Sequence, residues 1–146
     1  MAKHITTSIQ INSDLETVWQ VLTDFKSYPE WNPFIKSIEG EPIVGQKIEA
    51  KLAGMTFKPE VLIFEEKKVF KWLGHLLIKG LFDGEHGFLL TKNDDGVHFE
   101  QSEKFSGILV PLFAKSLDSD TVKGFNEMNE RLKVRCENLF KVAKRG

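Results

Sequence analysis

Three polar residues fall where a buried face should be apolar. Asn93-Asp94-Asp95-Gly96 carries a strong hairpin signal between two runs of alternating residues. Pairing across a two-residue turn sets Leu90 opposite Phe99, Phe88 opposite Gln101 and His86 opposite Glu103. Leu90, Phe88, Phe99 and Phe105 mark the inner face, so His86, Gln101 and Glu103 point inward with them. Glu85 and Lys104 then pair on the outer face. Side chains directly opposite each other lie about 4.5–5.5 Å apart at Cβ, close enough for an imidazole–carboxylate hydrogen bond. A carboxylate alone among phenylalanines is costly, which makes the histidine its natural partner. Such a pair can be a structural contact in which each group satisfies the other. It can also orient a ligand carbonyl or hydroxyl, or act as general acid and base. His86 and Glu103 are therefore the catalytic candidates if the chain catalyses anything.

Other chemistry is thinly represented. The sequence has no phosphate-binding glycine loop, dinucleotide fingerprint or nucleophile elbow. Its four histidines (His4, His75, His86, His98) lack zinc spacing, so neither metal nor cofactor is expected. The single cysteine, Cys136, reads as a small core hydrophobe and excludes an internal disulfide. Twelve phenylalanines and three tryptophans against one tyrosine form a heavy load of apolar rings, suited to a core or a ligand pocket. The rings of Trp31-Asn32-Pro33-Phe34 either plug one end of the core or cover a cavity mouth, with Asn32 capping backbone groups. Phe57, Phe70 and Trp72 are expected to line whatever cavity exists. Val110, Phe113 and Leu117 fit core, cavity wall or a docking patch.

The elements that position these residues follow from periodicity. Leu117–Lys144 predicts one long amphipathic helix, roughly 40 Å in length. Its stripe is Val122, Phe125, Met128, Leu132, Cys136, Leu139 and Ala143. Ile5, Thr7, Ile9 and Ile11 predict a strand with one buried face. Ser13 and Glu16 then offer a capping box for a helix carrying Leu15, Val18, Trp19, Leu22 and Phe25, ending near Asp24. A short helical turn from about Ser27 to Pro33 comes next. From Ile35 to Gly107 the pattern is strand-like: Ile35–Glu39, a strand around Ile48–Leu52, Thr56–Phe64 with Pro59 at an edge or bulge, Val69–His75, a loop through Leu77–Phe82, Glu85–Thr91 and Val97–Phe105. Pro111 is read as releasing the chain into the final helix. Segregated helices and a continuous meander indicate an α+β domain. Its expected form is an antiparallel sheet of about seven strands, curved around the long C-terminal helix, with two short helices after the first strand. Residues 1–146 are read as one domain.

With 146 residues, 41% hydrophobic and 28% charged, and a net charge of −1, the chain has no sequence-wide attraction to nucleic acid or anionic membrane. The start Met1–Thr7 lacks the apolar core of a signal peptide, and the longest apolar run, Ile108–Ala114, falls far short of a membrane span. The expectation is a cytoplasmic protein, monomeric or weakly dimeric, with no nucleic-acid partner and no integral membrane association.

Val18–Phe25 followed by Tyr28-Pro29-Glu30-Trp31-Asn32-Pro33-Phe34 resembles the entry signature of the START/SRPBCC superfamily. Phe82–Phe88, Glu103–Leu109 and Gly124–Asn129 with Leu132-Lys133 agree with it, so the likeness covers nearly the whole chain. It implies the helix-grip fold of the birch pollen allergen and of polyketide cyclase/dehydrase-like proteins. In function it implies a small hydrophobic or aromatic ligand, lipid-like or polyketide-like, held without catalysis between sheet and C-terminal helix. The alternatives are a cyclase/dehydratase-type enzyme using His86 and Glu103, or a co-chaperone-like interaction module. The expected ligand contacts are Trp31, Phe34, Phe57, Phe70, Trp72, His86, Phe88, Phe99, Gln101, Glu103, Phe125 and Met128. The expected cavity is of ordinary small-molecule size, about 300–1,000 Å³.

Overall fold

Inward-facing Ile5, Thr7 and Ile11 start the core from the first strand, β1 (Ala2–Ile11). The structure, a computed structural model, describes residues 2–52, 54–76 and 78–145, the side chain of Arg145 excepted. Met1, and Leu77 at the start of the expected loop, lie outside these. After β1 the chain turns through a hydrogen bond from Ser13 N–H to the Ile11 carbonyl at 3.0 Å. That turn buries Ser13 and leaves Asp14, not Ser13, in the extended conformation that caps helix α1 (Leu15–Thr23). The Asp14 carboxylate accepts the Thr17 N–H at 3.0 Å, so the expected box of Ser13 and Glu16 does not form. This hydrogen bond, foremost among its surroundings, holds the Asp14 carboxyl below its ordinary pKa. A tight helical turn at Phe25–Ser27 runs into α2 (Tyr28–Trp31), with Pro29 in the first turn. The Tyr28 hydroxyl is buried and donates to the Leu22 carbonyl, tying α2 back to α1. Asn32 caps as expected: its Oδ1 accepts the N–H groups of Phe34 at 3.0 Å and Ile35 at 2.8 Å.

The expected curved antiparallel sheet is present, and its eight strands among the described residues divide into two parts. Strands β2 (Ile35–Glu39), β3 (Glu49–Leu52) and β4 (Met55–Phe57) form a three-stranded sheet in that order. Strands β5 (Glu60–Glu65), β6 (Val69–His75), β7 (Asp83–Asn93) and β8 (Gly96–Ser106) join β1 in a five-stranded sheet ordered β1-β8-β7-β6-β5. Thr56–Phe64 is thus not one strand. It breaks at Lys58-Pro59, since Pro59 has no N–H to give a ladder, and its halves enter different sheets. Residues 45–48 bridge the break. Gly45 N–H donates to the Val61 carbonyl at 2.8 Å, Val61 N–H to Gln46 at 2.9 Å and Ile48 N–H to Pro59 at 3.0 Å.

Helix begins earlier than Leu117. Helix α3 (Val110–Ser116) starts at Val110 with Pro111 in its first turn, where a missing N–H costs nothing. The proline opens the helix instead of preceding it. Leu117–Thr121 then widens into a π-helical turn before the long helix α4 (Val122–Arg145). Phe125, Met128, Leu132 and Cys136 are fully buried as α4 crosses β1 and α1. Leu139 and Ala143 are exposed, so burial of the stripe stops at Cys136. Burial pushes the Cys136 thiol up to about 12, in keeping with a core role. The one glycine inside α4, Gly124, has a packing reason: a methyl group there would collide with the ring of Phe34.

That contact yields a sign-reversed prediction. Glycine to alanine inside a helix ordinarily gains about 1 kcal/mol. Gly124→Ala should instead lose roughly 1–3 kcal/mol through overpacking against Phe34, read as a lower Tm. A raised Tm would mean that Phe34 is not seated on the helix.

Candidate functional site

The β7–β8 hairpin has the expected register, with His86 opposite Glu103 and Phe88 opposite Gln101. His86 Nδ1 lies 2.8 Å from Glu103 Oε1, and His86 Nε2 lies 2.9 Å from Gln101 Oε1. The contacts continue beyond the sheet. Gln101 Nε2 donates to Asn129 Oδ1 at 2.8 Å, with a longer approach to the Phe125 carbonyl at 3.4 Å. Asn129 Nδ2 donates to Thr7 Oγ1 at 2.9 Å, and the Thr7 hydroxyl donates to the Gln101 carbonyl at 3.2 Å. One polar relay therefore joins β7, β8, α4 and β1 through the centre of the protein.

Hydrogen-bond chemistry sets the direction of this relay. A backbone carbonyl only accepts, so Thr7 must donate to Gln101 and receive from the Asn129 amide. Asn129 then turns its oxygen toward the Gln101 amide N–H, and Gln101 turns its own oxygen toward His86. An amide oxygen only accepts, so His86 Nε2 carries hydrogen. Between His86 Nδ1 and Glu103 Oε1 a single further proton completes the relay. On the imidazole it makes an ion pair, and on the carboxyl it makes a neutral hydrogen bond.

Aromatic rings enclose the pair. Trp72 stacks on His86 with centroids 5.0 Å apart, and Phe125 meets it edge-on at 5.1 Å. His86 is 3% exposed, and Glu103, at 16%, reaches an open space. Its second oxygen, Oε2, lies over Gly84, where any Cβ would collide with it. Gly84 is thus a vacancy in the sheet surface that the carboxylate fills.

The space beside Glu103 is a cavity of about 250 Å³, smaller than expected. Phe34, Phe57, Trp72, His86 and Glu103 line it, five of the residues expected at a ligand site. The remaining expected residues lie elsewhere. Phe70, Phe88, Phe99, Phe125, Met128 and Gln101 are fully buried in the packed core, where aromatic contacts and the relay fill the volume. Trp31 packs behind them and borders an outer cleft against α4. The cavity is displaced toward one end of the sheet because the core is closed at the Phe70–Phe88–Phe99 end. Several wall residues were not anticipated: Leu52, Pro59, Gly74, Leu76, Phe82 and Phe105. Asp120 and Thr121 reach its mouth from the π-helical turn, and His75 from the end of β6. There His75 Nδ1 pairs with Asp83 Oδ1 at 2.7 Å, and Asp83 also accepts the Gly80 N–H. Thr7 and Asn129 are the relay members that sequence reasoning missed. A threonine inside the isoleucine alternation of β1, and an asparagine beside Met128 on the helix stripe, were the available signals.

Among the described residues no group of three or more His, Cys, Asp or Glu side chains is placed to hold a metal ion. No helix among them is long and apolar enough to cross a membrane.

Residues 2–137 match the family described as polyketide cyclase / dehydrase and lipid transport, and the chain belongs to it. No curated protein matches as a relative. Solved structures share the fold. A Mesorhizobium loti protein is 22% identical with a TM-score of 0.74, over 90% of this chain and 94% of its own. A START superfamily protein from Mycobacterium smegmatis is 18% identical with a TM-score of 0.68, over 93% and 98% respectively. The di-domain ARO/CYC StfQ from the steffimycin biosynthetic pathway is 11% identical with a TM-score of 0.76 over 94% of this chain, which spans 52% of StfQ. The helix-grip architecture expected from the sequence is that of this family.

The relay should behave as one unit. Gln101→Leu orphans both the His86 Nε2–H and the Asn129 oxygen, and should cost roughly 2–5 kcal/mol in urea denaturation. Adding Asn129→Leu should then cost less than it does alone. Additive losses would show that the groups are not coupled.

Proposed function

We propose that this protein binds a small hydrophobic or aromatic ligand in the cavity beside Glu103 and does not transform it. The observation that carries this reading is the wall itself. Phe34, Leu52, Phe57, Trp72, Phe82 and Phe105 supply apolar surface, and Glu103 with His86 supplies one interior polar spot. Apolar walls with a few placed polar groups are the usual make-up of small-molecule sites. The family's lipid-transport and cyclase descriptions agree with an apolar ligand. The volume narrows its size. An apolar cavity of about 150 Å³ accommodates benzene, so about 250 Å³ suits a body of one or two rings or a short chain.

A second reading, acid–base catalysis of the cyclase/dehydratase type, draws on the single proton shared by His86 and Glu103 at the cavity wall. StfQ, named as an aromatase/cyclase, has the same fold. The carrier reading is preferred because both imidazole nitrogens are already engaged, which leaves His86 no free nitrogen for a substrate.

Gly74 offers the test. A Cβ there meets only Pro59, at 3.7 Å, so a larger side chain can be added at the cavity wall. A neutral naphthalene-sized fluorophore should bind the wild type at one to one, and Gly74→Leu should weaken it by about tenfold or more at little change in Tm. Equal binding by both proteins would place the probe elsewhere and remove the support for this cavity.

A further inference from the structure

The relay also says which end of a ligand Glu103 can accept. The inference rests on the binding reading above and specifies its ligand. If the shared proton sits on His86, Glu103 is a carboxylate and Oε2 is an acceptor. If it sits on Glu103, it occupies Oε1, the oxygen facing Nδ1 at 2.8 Å, and Oε2 is a carbonyl-type acceptor. Either way Oε2 can only receive a hydrogen bond. It has no partner among the described residues, and it lies over Gly84 on the cavity wall.

Charge around the cavity points the same way. No lysine or arginine among the described residues lines it to attract an anion, while the Asp120 carboxylate does line it and the lone pairs of Glu103 Oε2 face it. His75, at the mouth, is paired with the Asp83 carboxylate, so it brings no net positive charge with its partner. Inside a poorly hydrated space, like-charge proximity costs more than it does in water.

We infer that the ligand carries a hydrogen-bond donor at its polar end, a hydroxyl on an apolar body of one or two rings, and that anionic ligands are rejected. Phenols and alcohols fit this site. Carboxylates, phosphates and sulfates do not, which sets fatty acids and phospholipid headgroups outside its range. Glu103 Oε2 is the residue atom that discriminates, and Gly84 is the position that gives it room.

Three naphthalenes of nearly equal size separate these demands in equilibrium titrations at pH 7: 2-naphthol, which donates, 2-methoxynaphthalene, which only accepts, and 2-naphthoate, an anion. Naphthol should bind the wild type about tenfold or more tightly than the methyl ether, with naphthoate weakest. In Glu103→Leu the naphthol advantage should vanish. Glu103→Gln serves as the conservative variant. With His86 Nε2–H still given to Gln101, the new amide N–H turns to Nδ1 and its carbonyl oxygen to the cavity. Naphthol should then keep its advantage over the ether, while the handicap of naphthoate shrinks. Equal binding of all three by the wild type, or naphthoate binding best, overturns this inference and leaves the binding cavity standing. If none of the three binds, the cavity reading fails and the inference falls with it.

Discussion

A buried carbonyl can accept but never donate, and that asymmetry at Gln101 orders the middle of this protein. It obliges Thr7 to donate, and through Thr7 it orients Asn129, the Gln101 side chain and finally His86. Four elements are held in register by a chain of donors and acceptors in which each group satisfies the next. The apolar stripe of α4 would pack on many inner sheet faces. The contacts of Asn129 with Gln101 and Thr7 tie one rotation and height of the helix to this sheet. Where the relay ends, at Glu103, one acceptor is left over, and it faces a cavity.

Why the cavity stands there is a matter of backbone interruptions. Pro59 divides what would be a continuous strand, so β4 and β5 enter different sheets and Pro59 itself lines the cavity. The π-helical turn at Leu117–Thr121 widens the helix as it passes the same end and brings Asp120 and Thr121 to the rim. Gly74 and Gly84, cross-strand neighbours in β6 and β7, take side chains away from the wall between them. At the other end Phe70, Phe88 and Phe99 meet ring to ring and leave no room. The interior is thus packed solid at one end and hollow at the other.

Legibility in the sequence followed the regularity of the physics. The β7–β8 register was readable because Asn93–Gly96 encodes a tight turn and period-two alternation fixes everything behind it. That alone brought His86, Gln101 and Glu103 to one face. The caps of Asn32 and the end of α1 near Asp24 were similarly local. Errors arose where one residue type has two positional meanings. Pro111 was read as lying ahead of the final helix though it can open a helix itself, and Ser13 was read as a cap though its neighbour Asp14 serves as well. Leu139 and Ala143 fit the helical period, yet α4 outruns the surface that would cover them. The cavity's location was out of reach, because it depends on a strand break, a π-helical turn and two glycines acting together across distant segments. Phe70, Phe88, Phe99 and Phe125, expected at a ligand site and placed in the packed core, share one cause: an inward aromatic looks the same in sequence whether its neighbour is another ring or empty space.

The direction of the relay is the central claim, and the His86 imidazole reports it directly. In nitrogen-15 NMR of histidine-labelled protein, His86 Nε2 should be protonated and hydrogen-bonded, with an N–H resonance protected from solvent exchange. Gln101→Leu should remove that protection. A His86 ring found with a bare Nε2 and its only proton on Nδ1 would reverse the relay. The orientations assigned to the Gln101 and Asn129 amides would then be contradicted.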